Sequence, residues 1–219
     1  MFVARRMKKQ IVTAAPSASL FEAQRMMREH IIRQIPVVSE DGTLLGIVSD
    51  RDIRAAVLPA GLVPGFTAGE AEKFMKSIPV ERVMTRKVLT ATLTDTLEDA
   101  IVLLRDFRVN ALPVVDGAGK VAGIITRTDV LEAFIDALGV GEVSSRLEVL
   151  VPDRPGMLAQ LAAIIGSFHV NITSVVSIRH EDGKRADFLR VATLNVGPIR
   201  KAIEEAGFEI LDPSKFLLP

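Results

Sequence analysis

Two short stretches hold the residue types best suited to chemistry: GIVSDRDI over 46–53 and GIITRTDV over 123–130. Each sets a glycine, a hydroxyl three residues on and a carboxylate three further: Gly46, Ser49 and Asp52, then Gly123, Thr126 and Asp129. Two readings fit that spacing. Ser/Thr-x-x-Asp is a helix-capping pattern, contributing on the order of 1 kcal/mol per helix. The same set also suits a sugar phosphate. The glycine permits close approach of the backbone, the hydroxyl and free helix N–H groups donate to a phosphate, and the carboxylate accepts from ribose hydroxyls. On spacing alone both readings stand.

The stretches belong to a longer duplication. An offset of 77 residues carries Met7 onto Met84, Thr13 onto Thr90, Pro36 onto Pro113, Gly46 onto Gly123 and Asp52 onto Asp129 without a gap. Self-similarity of that length marks two copies of one supersecondary unit. Periodicity predicts β-α-β-β-α for each: a short strand, an amphipathic helix (Leu20, Ala23, Met26, Met27; Leu97, Ala100, Leu103, Leu104), a hairpin turning at Asp-Gly or Gly-Ala-Gly, and a helix starting near Asp52 or Asp129. A unit of roughly fifty residues buries too little surface to stand comfortably alone, so the copies are expected to pack together. The repeats are expected over 1–60 and 80–139, with a Pro- and Gly-rich linker or lid over 61–79.

With the preceding IPVV and LPVV, these segments resemble the hallmark of CBS domains, which pair as a Bateman module. The resemblance implies an adenine nucleotide as regulatory ligand: AMP, ADP, ATP or S-adenosylmethionine. It implies ribose and phosphate contacts at Ser49, Arg51 and Asp52 and at Thr126, Arg127 and Asp129. It also implies an adenine pocket lined by Thr13, Ala14, Pro16, Ile35 and Pro36, or by Thr90, Ala91, Leu112 and Pro113. Asp50 within the first motif disfavours a polyphosphate, whereas Arg127 within the second would neutralise one, so the second site is favoured if one is filled. Arg33, Arg54, Arg86 and Lys87 are further cations that could meet a phosphate.

Residues 140–219 change pattern. An apolar strand (Leu147 to Val151) passes through Asp-Arg-Pro-Gly into a helix carrying Met157, Leu158, Leu161, Ile164 and Ile165, then two strands about an Asp-Gly turn, a helix and a last strand. This is a ferredoxin-like βαββαβ order. VPDRPGMLAQLAAIIGSFHVNI resembles an ACT domain, which implies side-by-side pairing and an amino acid effector at Asp153, Pro155, Gly156, Met157 and Asn171. Read structurally instead, Pro155-Gly156 sets a turn and Asn171 supplies left-handed geometry after the helix. Two CBS repeats followed by an ACT-like domain resemble the AcuB arrangement, linked by name to acetoin utilisation.

Other chemistry finds no support. The chain has no cysteine, and its three histidines lack metal-ligand spacing; Asp182 beside His180 reads as a solvated turn residue. There is no Walker loop, nucleophile elbow or GxGxxG after a strand. Twenty-seven cations balance twenty-seven anions, so no whole-chain field recruits nucleic acid, and no signal peptide or membrane anchor is read. The expectation is a cytoplasmic, non-catalytic homodimeric sensor without a catalytic cofactor or metal. The alternative is a scaffold or dimerisation subunit for a partner enzyme.

Overall fold

Each repeat sets its elements with local signals and buries them against its own core. In the computed structural model, which describes residues 1–61, 67–180 and 183–212, Ser19 and Glu22 form a reciprocal capping box that starts α1 (Leu20–Glu29). The helix turns Leu20, Ala23 and Met27 inward. Strands β1 (Gln34–Val38) and β2 (Leu44–Ser49) pair antiparallel and lead into α2 (Asp50–Gly61). Helix α3 (Ala68–Ser77), capped by Thr67 and Glu70, packs on α1 and α2 and is followed by Ile78, which joins Met75 against the first repeat's core. The segment expected as a linker is thus partly a wall of repeat one; residues 62–66 lie outside the described residues.

Repeat two runs β3 (Ala91–Thr92), α4 (Leu97–Asp106), β4 (Ala111–Val115), β5 (Val121–Thr126) and α5 (Arg127–Ala137), with sheet order β3-β4-β5. In repeat one the corresponding first strand shrinks to a single parallel bridge between Ala14 and Val37.

The segments ahead of the repeats are exchanged between them. Val3 donates its N–H to the Asp95 carbonyl at 2.8 Å, and Lys8 and Ile124 exchange backbone bonds at 2.9 and 3.0 Å, so the start of the chain docks on repeat two. Conversely, Val80 donates to the Ala18 carbonyl at 2.7 Å, and Ile47 and Thr85 exchange bonds at 3.0 and 2.9 Å. The repeated glycines serve this docking. A Cβ at Gly123 would lie 2.6 Å from Met7 Sδ and 2.8 Å from the Lys8 carbonyl oxygen; one at Gly46 would lie 2.5 Å from Met84 Sδ and 3.0 Å from the Thr85 oxygen. The close approach expected of a sugar phosphate is therefore made by the protein's own chain.

The chain divides into two compact units, Met1–Leu131 and Glu132–Pro219. The second holds a four-stranded sheet in the order β7-β8-β6-β9, built from β6 (Ser145–Pro152), α6 (Met157–Ser167), β7 (Ile172–Arg179), β8 (Lys184–Val191), α7 (Gly197–Glu205) and β9 (Glu209–Ile210). Leu147, Val149, Val151 and Leu189 meet Leu161, Ile165, Ile199 and Ile203 in its core. By the two-residue period of a strand, Arg146, Glu148, Phe188 and Arg190 turn to the opposite face. The buried Asp187 carboxylate on the helix side is satisfied by the Ser177 hydroxyl, which in turn accepts from Arg185 Nε at 2.8 Å. This is the ferredoxin-like arrangement expected.

Candidate functional site

The second motif stands where β5 ends and α5 begins. The Thr126 amide and hydroxyl both donate to Asp129 Oδ2, at 2.8 and 2.5 Å, and the Asp129 amide donates back to Thr126 Oγ1 at 3.2 Å. Ser49 and Asp52 make the same three bonds at 2.8, 2.6 and 3.2 Å. Both motifs are thus capping boxes. A hydroxyl carries one proton, and each is already directed at its aspartate, so the expected donation from Ser49 or Thr126 to a phosphate does not hold.

A cavity of about 690 Å³ opens beside the second motif and draws on both repeats. From repeat one come Ile11, Val12, Ile31, Ile32 and Pro36 as apolar wall, with Lys8, His30 and Arg33; repeat two adds Asn110, Thr126, Arg127 and Thr128. No carboxylate is among its lining residues. Lys8 Nζ lies 3.5 Å from Oδ1 of the buried Asp129, a charge pair at the cavity's edge. Thr128 lies in the first turn of α5, where the backbone N–H groups have no intrahelical partner. Such a volume falls within the roughly 300–1,000 Å³ of ligand pockets.

Of the residues expected around the nucleotide, the cavity takes Pro36, Thr126 and Arg127. Ala14, Ile35, Ala91 and Leu112 have buried side chains that belong to the cores, because strand alternation turns them inward, and none of them is among this cavity's lining residues. Buried Pro113 and Asp129, along with Thr13, Pro16, Thr90, Ser49, Arg51 and Asp52, lie outside this cavity's lining. Pro16 instead accepts the Glu81 N–H at 3.2 Å, part of the exchanged docking. Arg127 is less free than its charge suggests: Nε donates to the Val109 carbonyl and Nη2 to that of Leu104, both at 2.9 Å. Reasoning from the motif missed Lys8 and Thr128. The first-turn place of Thr128 was legible, whereas Lys8 comes from the exchanged segment.

In the C-terminal unit, Met157 is buried in the core, which removes it from the expected effector loop. Asp153, Pro155 and Gly156 are exposed, with Gly156 at φ 91° ahead of α6 and Asp153 Oδ2 lying 3.8 Å from Arg185. The left-handed residue after α6 is His169, φ 55°, whose N–H closes on the Gly166 carbonyl; Asn171 lies beyond that turn and does not adopt the expected geometry. Asp182 lies outside the described residues. Among the described residues no group of three or more metal-ligating side chains is placed to hold an ion, and no helix is long and apolar enough to cross a membrane.

The family model for the CBS domain matches residues 3–59 and 80–136. The chain belongs to the CBS-domain family. Behind its CBS pair it carries an ACT domain, matched over residues 145–208. An uncharacterised protein of Methanocaldococcus jannaschii is 36% identical over 149 residues, covering 59% of this chain and 88% of its own. Inosine-5'-monophosphate dehydrogenase of Aquifex aeolicus is 32% identical over 122 residues, 55% of this chain but 22% of the enzyme. Among solved structures, CBSX2 in complex with AMP is similar with a TM-score of 0.51 and 30% identity, over 62% of this chain and 96% of that one. A CBS domain pair in complex with 5'-methylthioadenosine and S-adenosyl-L-methionine gives 0.51 at 27% identity, over 61% and 95%.

Proposed function

We propose that this CBS-domain protein is a regulatory sensor that binds an adenine nucleotide or S-adenosylmethionine in the cavity beside Thr126. One observation carries the reading: the cavity sets an apolar wall with Lys8 and Arg33 from repeat one against hydroxyls, Arg127 and a helix N-terminus from repeat two, with no carboxylate in its lining. An adenine suits the wall, and Lys8, whose Nζ lies 3.5 Å from Asp129 Oδ1, receives a phosphate together with the Thr128 amide. The solved relatives that hold AMP or S-adenosyl-L-methionine support this ligand class.

In this reading the protein turns over no substrate. Ligand binding between the repeats biases the placement of their exchanged segments, and by linkage any effector of the ACT domain alters nucleotide affinity reciprocally. The ACT domain pairs two copies or reads an amino acid, the cell compartment is the cytoplasm, and the arrangement is that of the AcuB type. A thermal-unfolding screen against AMP, ADP, ATP, S-adenosylmethionine and amino acids tests this. Ligand at about a hundred times its Kd adds roughly 2.7 kcal/mol of stability. A stabilising adenine ligand is expected; no shift with any of them favours the scaffold alternative.

A further inference from the structure

We propose that the sheet face opposite the helices of the C-terminal unit carries a second small-molecule site, selective for carboxylates with an apolar body and no ammonium group. A cavity of about 300 Å³ lies there, lined by Leu138, Val140, Ser174, Val176 and Phe188 together with Arg146, Leu189 and Arg190. None of the residues of the loop after β6 contributes to it, so it is separate from the effector position that the ACT resemblance implies.

The cavity is built. The segment after α5 is fixed over the sheet where the Ser174 hydroxyl donates to the Leu138 carbonyl at 3.0 Å, and Gly139 lies against the Arg190 side chain. Leu138 and Val140 thereby join Val176 and Phe188 in the apolar lining. Two guanidinium groups join this apolar lining. Arg146 lies over the Phe188 ring, 5.3 Å from its centroid, and pairs with Glu148 at 3.0 Å. Arg190 is half-buried, and its Nη1 donates to the neutral Ser144 hydroxyl at 3.2 Å; among the described residues no carboxylate forms an ion pair with it. A half-buried guanidinium beside apolar walls is a carboxylate receptor of forked geometry. No carboxylate is among the lining residues to receive an ammonium group, and Arg190, whose charge no such pair offsets as Glu148 offsets that of Arg146, would repel one, so an amino acid is the disfavoured form of the same skeleton.

The test uses the full chain and three probes with one carbon skeleton: isocaproate, α-ketoisocaproate and L-leucine, titrated by calorimetry and by amide NMR shifts. The two acids lacking an ammonium should bind about tenfold or more tighter than leucine, with shifts at Ser174, Val176, Phe188 and Arg190. Arg190→Gln should weaken them about tenfold or more, as loss of a charge-assisted bond does. Val140→Trp, a change at an exposed position, should fill the cavity and block binding while the melting temperature holds. Equal affinity for leucine, insensitivity to both variants, or shifts confined to the 153–157 loop would overturn the proposal. Failure here leaves the nucleotide reading intact, because AMP stabilisation of the same sample is measured in parallel.

Discussion

The two repeats share one frame and differ in what surrounds it. Both motifs cap their helix with the same three bonds, yet the helix opens with Asp50, ion-paired to Arg54 at 2.7 Å, in repeat one and with Arg127, anchored on two carbonyls, in repeat two. Lys8 reaches Asp129, whereas the 77-residue offset puts the uncharged Thr85 in the corresponding place. The duplicated residues hold the fold. The residues that depart from the duplication decide where an anion is favoured.

The exchanged docking offers the strongest way to break this symmetry. Both Gly123→Ala and Gly46→Ala push a methyl into a methionine side chain, but at Gly123 the backbone oxygen of Lys8 lies at 2.8 Å, closer than the 3.0 Å of the Thr85 oxygen at Gly46. Overpacking of this kind costs about 1–3 kcal/mol, and urea midpoints should show the Gly123 variant as the more damaged. Next come the caps. Asp129→Ala and Asp52→Ala should each lose about 1–2 kcal/mol, with Asp129 the costlier because it is more buried and also faces Lys8. Equal losses would mean that the Lys8 contact contributes nothing.

A substitution at the end of α1 should stabilise. Ile31 and Arg108 occupy equivalent left-handed positions, each at φ 54°, but Ile31 is β-branched and 93% exposed, so it bears the strain without burying surface. Ile31→Asn should raise stability by about 1 kcal/mol, and Arg108→Asn by less, read again from urea midpoints. The smallest effect concerns the hairpin of repeat one. Hydroxyls of Ser39 and Thr43 hold the Asp41 carboxyl at about 2, below the usual 3.8. Its folded value is the lower, so its contribution is complete above pH 3.8 and fades as pH falls toward 2. The stability gap between the wild type and Asp41→Asn should therefore close over that window in acid melts.

Much of this was legible because it is local. Ser-x-x-Asp, the Pro-Val-Val strands and the gapless offset encode caps, hairpins and duplication within a few residues of chain, and the order of the C-terminal unit follows from hydrophobic period alone. What the pattern could not say is which copy each leading segment packs on. Met7 aligns with Met84 whether the segments stay at home or cross, and their crossing delivers Lys8 to the second motif. Alternation explains the other misses: Ile35 and Leu112 precede the prolines but point inward, and Met157 follows the exposed loop yet opens a buried helical face.

The most direct test of the central claim is a calorimetric titration of AMP into the wild type, Lys8→Glu and Thr85→Glu. AMP should bind the wild type and Thr85→Glu alike and bind Lys8→Glu at least about tenfold more weakly, because the reversed charge sits where the phosphate is received. Undiminished binding by Lys8→Glu, or loss confined to Thr85→Glu, would contradict the assignment of the site to the second motif.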